Sequence, residues 1–138
     1  MPRFARNDSI LRFIIGVPMF TEEKIQKRLD GHIKRNWEIL KHLREKGLGL
    51  NSAFMTEHHF FAPRQLEAGK LAIALEKKSF NVIEMEPAET KDGHEGWAVI
   101  AEVEMTLEAA ADPATADELT RLAATFESIY DGWGAEVE

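Results

Sequence analysis

From residue 97 to residue 107 the chain alternates. Trp97, Val99, Ala101, Val103, Met105 and Leu107 are apolar, and Glu102, Glu104 and Thr106 fall between them. A period of two places successive side chains on opposite faces, so this run predicts a strand with one buried face. Elsewhere the period is helical. Ile25, Leu29, Ile33, Trp37, Leu40 and Leu43 recur at spacings of four or three and form one apolar stripe. Thr21 reads as the N-cap of that helix, Glu22 and Glu23 suit its positive end, and Gly47 and Gly49 end it. Asp30-Gly31 interrupts the stripe at a point where the helix would kink or divide. Asp112-Pro113 and a Thr115-Ala116-Asp117-Glu118 capping box start a last helix, with Leu119, Leu122, Ala123, Phe126, Ile129 and Tyr130 as its stripe. Between these, residues 50–61 read as a strand. Pro63 opens a helix in which Ala68, Leu71, Ala72 and Leu75 share a face. Residues 80–85 read as a short strand and 86–96 as a polar loop. Asp131-Gly132 is the strongest turn signal, predicting a corner into a terminal strand with Trp133, Ala135 and Val137 on one side.

The order after the first helix is β-α-β-β-α-β. That order predicts an α+β, ferredoxin-like sandwich, a four-stranded antiparallel sheet with two helices on one face and an additional N-terminal helix. The organisation expected is an arm over residues 1–20, a helix over 21–47 and the sandwich over 48–138. Residues facing away from the helices follow from alternation. If Ile83, Met85 and the odd-numbered apolar residues of the later strands point inward, then Glu84, Glu86, Glu102, Glu104, Glu136 and Glu138 share one open sheet face. Such a face is either ordinary solvated surface or a docking surface for a basic protein segment. The same topology serves RNA-recognition modules that present aromatic rings there. Here the third strand offers Ile100, Glu102 and Glu104, and carboxylates repel phosphates, which argues against direct RNA binding by the sheet.

Charge is unevenly spread. Residues 1–50 carry eleven Lys/Arg against six Asp/Glu, and residues 51–138 carry six against eighteen, within a net charge of −7. The basic arm, with Arg3, Arg6 and Arg12, and the basic first helix keep open a second function, a module associating with RNA or nucleoprotein. The 138 residues contain no cysteine, which removes disulfides and thiolate chemistry and fits a reducing, cytoplasmic setting. The apolar run at residues 13–20 is far too short to span a bilayer and lacks a small-residue cleavage site, so neither a membrane span nor a signal peptide is expected.

Glu57-His58-His59 invites a metal reading that strand geometry weakens. Adjacent strand residues point to opposite faces, so His58 and His59 cannot share one ion, and Glu57 with His59 supplies only two ligands. Structural or interface roles fit these residues better. His32, His42 and His94 have no partner at telling spacing. No phosphate-binding loop or nucleophile elbow occurs. The expectation is a non-enzyme with no catalytic residue, no metal site and no cofactor.

The segment Tyr130-Asp131-Gly132-Trp133-Gly134, preceded by Leu122-Ala123…Phe126, resembles the C-terminal signature of the family called regulator of ribonuclease E activity B, or RraB. Phe54-Met55-Thr56-Glu57-His58-His59-Phe60 is similar to that family's first strand, and residues 66–82 resemble the helix that follows. The resemblance covers roughly residues 30–138. It implies a non-catalytic cytoplasmic protein that binds ribonuclease E, or a related RNA-processing protein, and restrains RNA cleavage by protein–protein contact. Glu57, His58, His59 and Tyr130 to Gly134 would be its family motif. Well-known members continue in a long acidic tail after the Trp-Gly pair, whereas this sequence stops at Glu138.

Overall fold

The structure, a computed structural model, describes residues 20–135. The expected arm up to Met19, together with Glu136, Val137 and Glu138, lies outside the described residues. The element order is α1 (Glu22–Glu45), β1 (Ala53–Ala62), α2 (Gln65–Lys77), β2 (Asn81–Glu89), β3 (Glu95–Thr106), α3 (Leu107–Ala111), α4 (Pro113–Thr125) and β4 (Ile129–Ala135). The strands form one antiparallel sheet in the order β2-β3-β1-β4, the ferredoxin-like arrangement, with α2 packed on β1, β2 and β3 and α4 on β4.

Thr21 caps α1, its Oγ1 accepting the Lys24 N–H at 3.2 Å. The helix then runs unbroken through Asp30-Gly31, so no kink or division occurs there. At its far end the Gly47 N–H donates to Arg44 O and the Leu48 N–H to Leu43 O, the paired bonds of a Schellman motif. The buried stripe is Ile25, Leu29, Asn36 and Leu43. Trp37, expected on that stripe, is 68% exposed, and the polar Asn36 beside it is buried instead. This helix lies on α3 and α4.

Strand parity changes at two bulges. Val82 pairs with Ala101 but Glu84 with Ile100, so Ile83 is the extra residue; it is 46% exposed rather than inward. Met85, paired with the buried Val99, keeps the helix side, though it too is partly exposed on the edge strand. The strand continues past the expected end to Glu89. Pro87 is tolerated in it because β2 is an edge. In β4, His59 pairs with Gly132 and Phe60 with Tyr130, leaving Asp131 unpaired. Asp131-Gly132 is therefore a bulge inside a strand and not a corner before one. Gly132 takes φ +107°, which a side chain would resist.

The last helix ends five residues before Tyr130. Glu127 adopts φ +54°, and the Ser128 N–H closes back on Ala123 O at 2.9 Å. Tyr130 is thus a strand residue. The helix starts at Pro113 with Asp112 as its N-cap, accepting from the Ala114 N–H, so Thr115 lies inside it. The short α3, capped by Thr106, has no counterpart among the elements that the sequence pattern predicts. Two apolar clusters result. One joins Phe60, Leu71, Leu75, Val99, Leu119 and Tyr130; the other joins Leu43, Leu107, Ala110 and Trp133. Tyr130 and Trp133 are both buried, but in different clusters.

Candidate functional site

Adjacent strands β1 and β4 carry the two motif halves, and their alternation sorts the motif between two faces. On the helix side Thr56, His58 and Phe60 of β1 are buried, as are Tyr130 and Trp133 of β4. His58 is the centre of a closed hydrogen-bond chain. Thr56 donates its hydroxyl proton to Val103 O at 2.8 Å, because a carbonyl can only accept. The Thr56 oxygen must then accept from His58 Nε2–H at 2.9 Å, which leaves Nδ1 bare to accept the Tyr130 O–H, also at 2.9 Å. The imidazole is neutral in this arrangement. Burial, with a smaller contribution from His59, lowers its pKa to about 4. Burial likewise raises that of the Tyr130 hydroxyl.

Helix α1 seals the free edge of β4 through residues spaced i, i+3, i+4. His32 Nε2–H donates to Tyr130 O at 2.9 Å and Arg35 Nη2 to Trp133 O at 3.2 Å. Asn36 Oδ1 accepts the Trp133 indole N–H at 2.9 Å. Strand edges left with unpaired backbone groups invite foreign pairing; His32 and Arg35 take up two of the β4 carbonyls, while Asn36 holds the indole. Burial lowers the pKa of His32, against the opposing effect of its bond to the Tyr130 carbonyl.

The open face reads in rows, since directly paired residues of an antiparallel sheet share a face. Gly134, Glu57, Glu102 and Asn81 make one row; Gly132, His59, Ile100 and Glu84 the next; Ile129, Phe61, Ala98 and Glu86 the third. Glu104 stands on the same face opposite Met55. Glu84, Glu86, Glu102 and Glu104 are thus gathered on one surface, and Glu57 joins them, while Glu136 and Glu138 lie outside the described residues. The carboxylates crowd one another. Glu84 is held above the ordinary carboxylate range, first by a hydrogen bond shared with Glu86, and by the negative charge of Glu86 and Glu57. His59 Nε2 lies 3.6 Å from Glu57 Oε1, both half-exposed.

Among the described residues no three His, Cys, Asp or Glu side chains converge as a metal site would require. No described helix is long and apolar enough to cross a membrane. Two hollows flank the sheet. One of about 770 Å³ is lined by Pro63, Arg64, Pro87, Glu95 and Trp97 among others. A smaller one of about 270 Å³ lies over β4 between Arg35, His59, Asp131 and Gly134. The contributions of Thr56, His32, Arg35 and Asn36 were not expected from sequence. A trace of the last three is their i, i+3, i+4 spacing on α1, where Asn36 is buried, His32 half-buried and Arg35 exposed.

Comparison with known proteins places this geometry in a family. The family model described as "Regulator of ribonuclease activity B" matches residues 34–135, which include all four strands and both motif halves. The chain is similar to the Regulator of ribonuclease activity B of Psychromonas ingrahamii, 34% identical over 101 residues, covering 73% of this chain and 84% of that relative. It is also similar to that of Pseudoalteromonas translucida, 31% identical over 104 residues, 72% and 94% covered. That of Shewanella denitrificans is 28% identical over 110 residues, 80% and 85% covered. The chain belongs to the RraB family, Regulator of ribonuclease activity B.

Proposed function

We propose that this protein is a non-catalytic regulator that binds ribonuclease E, or a related RNA-processing protein, through its open sheet face and slows RNA cleavage. The relatives carry the name of regulators of ribonuclease activity, and regulation by contact needs a surface rather than an active site. The observation that carries the reading is the shared face of Glu57, Glu84, Glu86, Glu102 and Glu104. A cluster of one sign steers an oppositely charged partner and sets its orientation. The test is inhibition and binding of purified ribonuclease E at two salt concentrations. Affinity falls as salt rises, because attraction between exposed charges is screened beyond about 8–10 Å at physiological ionic strength. Replacing Glu102 and Glu104 together by Lys leaves the fold intact and weakens binding at least tenfold. Removing residues 1–20 leaves inhibition unchanged.

A second reading has one observation in its favour. Trp37 is exposed on α1, with Lys34 and Lys41 one turn to either side, an arrangement on which a nucleic-acid base can stack. Labelled RNA alone decides between them. No sub-micromolar binding is expected, and RNA binding lost in Trp37→Ala, with inhibition surviving the double Lys variant, would transfer the activity to the helix.

A further inference from the structure

Gly134 is a glycine for which the fold has no use. It sits inside β4, paired with Glu57, where glycine costs stability relative to any residue with a side chain to pack. Its φ is not in the left-handed region, and among the described residues a Cβ built on it meets no atom within 4 Å. Gly132, two residues earlier, is different: it has the positive φ of the bulge, and the Arg35 guanidinium stands where its Cβ would go.

The same row holds a second cost. Glu57 and Glu102 are directly opposed on β1 and β3, and like charges in register destabilise a sheet; their polar neighbours are His59, 3.6 Å from Glu57, and the Asn81 amide, 3.4 Å from Glu102. Local violations of this kind, adjacent to one another, mark functional surface. One occupant relieves both. A side chain with a flat aliphatic stem can lie on the bare Gly134 backbone and place a cation between the two carboxylates. Directly opposed Cβ atoms stand about 4.5–5.5 Å apart, so one planar guanidinium can donate to both carboxylates, whereas an ammonium is a point charge. Arg35, held on the Trp133 carbonyl, lines the hollow over Gly132 one row away, where its own charge disfavours a second cation.

We propose that the Gly134–Glu57–Glu102 row is the seat of an arginine carried on an extended segment of the partner protein. This rests on the reading that the open face docks a basic partner, and it adds the residue and the place.

The deciding variant is Gly134→Val, which suits a strand and fills the seat. Its melting temperature should equal or exceed that of wild type; a clear fall would show that the fold needs the glycine and overturn the premise. A short peptide alternating threonine and arginine, titrated at low salt, should shift the amide resonances of Gly134, Glu57 and Glu102, at least tenfold more weakly in Gly134→Val. The threonine–lysine counterpart should bind less tightly. Equal titration of wild type and Gly134→Val by the arginine peptide overturns the seat. Purified ribonuclease E then separates the two readings. If the Glu102→Lys, Glu104→Lys variant loses binding and Gly134→Val does not, the face stands and the seat is wrong. If neither loses binding, the docking face itself is wrong, whatever the peptide does.

Discussion

Truncating Trp133 to Ala should remove much of this protein's stability. The indole is 2% exposed in a cluster with Leu43, Leu107 and Ala110, and Ile39, Leu40, Leu48 and Phe54 pack around it. The cluster that it anchors draws on α1, α3, β1 and β4. Loss of a buried Trp side chain costs about 3–5 kcal/mol through lost burial and residual cavity. A second cost arises at Asn36, which is 3% exposed and spends its Oδ1 on the indole N–H at 2.9 Å. Stranding that oxygen adds on the order of 1 kcal/mol. The total, about 4–6 kcal/mol, compares with the roughly 5–15 kcal/mol by which such domains are stable. Trp133→Phe separates the two contributions, since it retains most of the packing and loses the donor; about 1–3 kcal/mol is expected. Urea denaturation followed by far-ultraviolet circular dichroism measures both, with the midpoint falling and the slope unchanged. A Trp133→Ala variant within about 0.5 kcal/mol of wild type, the range of ordinary surface substitutions, would refute the anchoring role and make the indole a recognition residue.

Two further outcomes follow from buried geometry. His58 has a folded pKa of about 4 against an ordinary 6.5, so above pH 6.5 it is neutral in both states and imposes no proton penalty. As pH falls from 6.5 to 4 the unfolded chain takes up the proton first, and stability drops by up to about 3 kcal/mol. His58→Gln should abolish that component, so a stability difference between wild type and variant that stays constant from pH 7 to pH 4.5 would contradict the assignment. Gly96→Ala, unlike any change at Gly134, should destabilise. Its Cβ would meet the Phe61 ring and the Ala62 carbonyl, and a backbone oxygen cannot swing aside. About 1–3 kcal/mol is expected, read as a fall of several degrees in melting temperature.

Where local chemistry and tertiary demand agreed, the sequence was readable. The alternation of Val99, Ala101 and Val103 against Glu102 and Glu104 needed only a two-residue period, and Thr21 announced α1 by a side chain able to accept the Lys24 N–H. Errors fell where one residue acted against its type. Glu127 occupies a left-handed position that glycine usually marks, so the stripe from Leu119 read on through Ile129 and Tyr130 as helix. Ile83 and Asp131 are the extra residues of bulges, and one inserted residue reverses the parity of everything counted across it. Spacing and hydrophobicity together put Trp37 on the core stripe. Its neighbour Asn36 won the buried place because the Trp133 indole supplies the partner that a buried amide requires. No spacing rule announces such a partner 97 residues away.

The same parity explains why alternation finds the open face and the motifs do not. Glu57-His58-His59 and Tyr130 to Gly134 look like two compact signatures, yet each is split by the sheet. His58, Tyr130 and Trp133 face the helices, where they are closed by Thr56, Asn36 and the apolar clusters. Those residues hold β1 to β4 and β4 to α1, and α1 in turn occupies the edge that β4 would otherwise expose. Glu57, His59 and Gly134 face the other way, across one row from Glu102. What the inward half contributes is rigidity: it fixes the register that sets a bare glycine beside two opposed carboxylates. Under the proposed docking, a substitution at His58 or Trp133 would therefore weaken partner binding only as far as it loosens the fold. Under the same proposal one at Gly134 would lower binding without lowering stability, and that contrast separates the half of the motif that builds the sheet from the half proposed to face the partner.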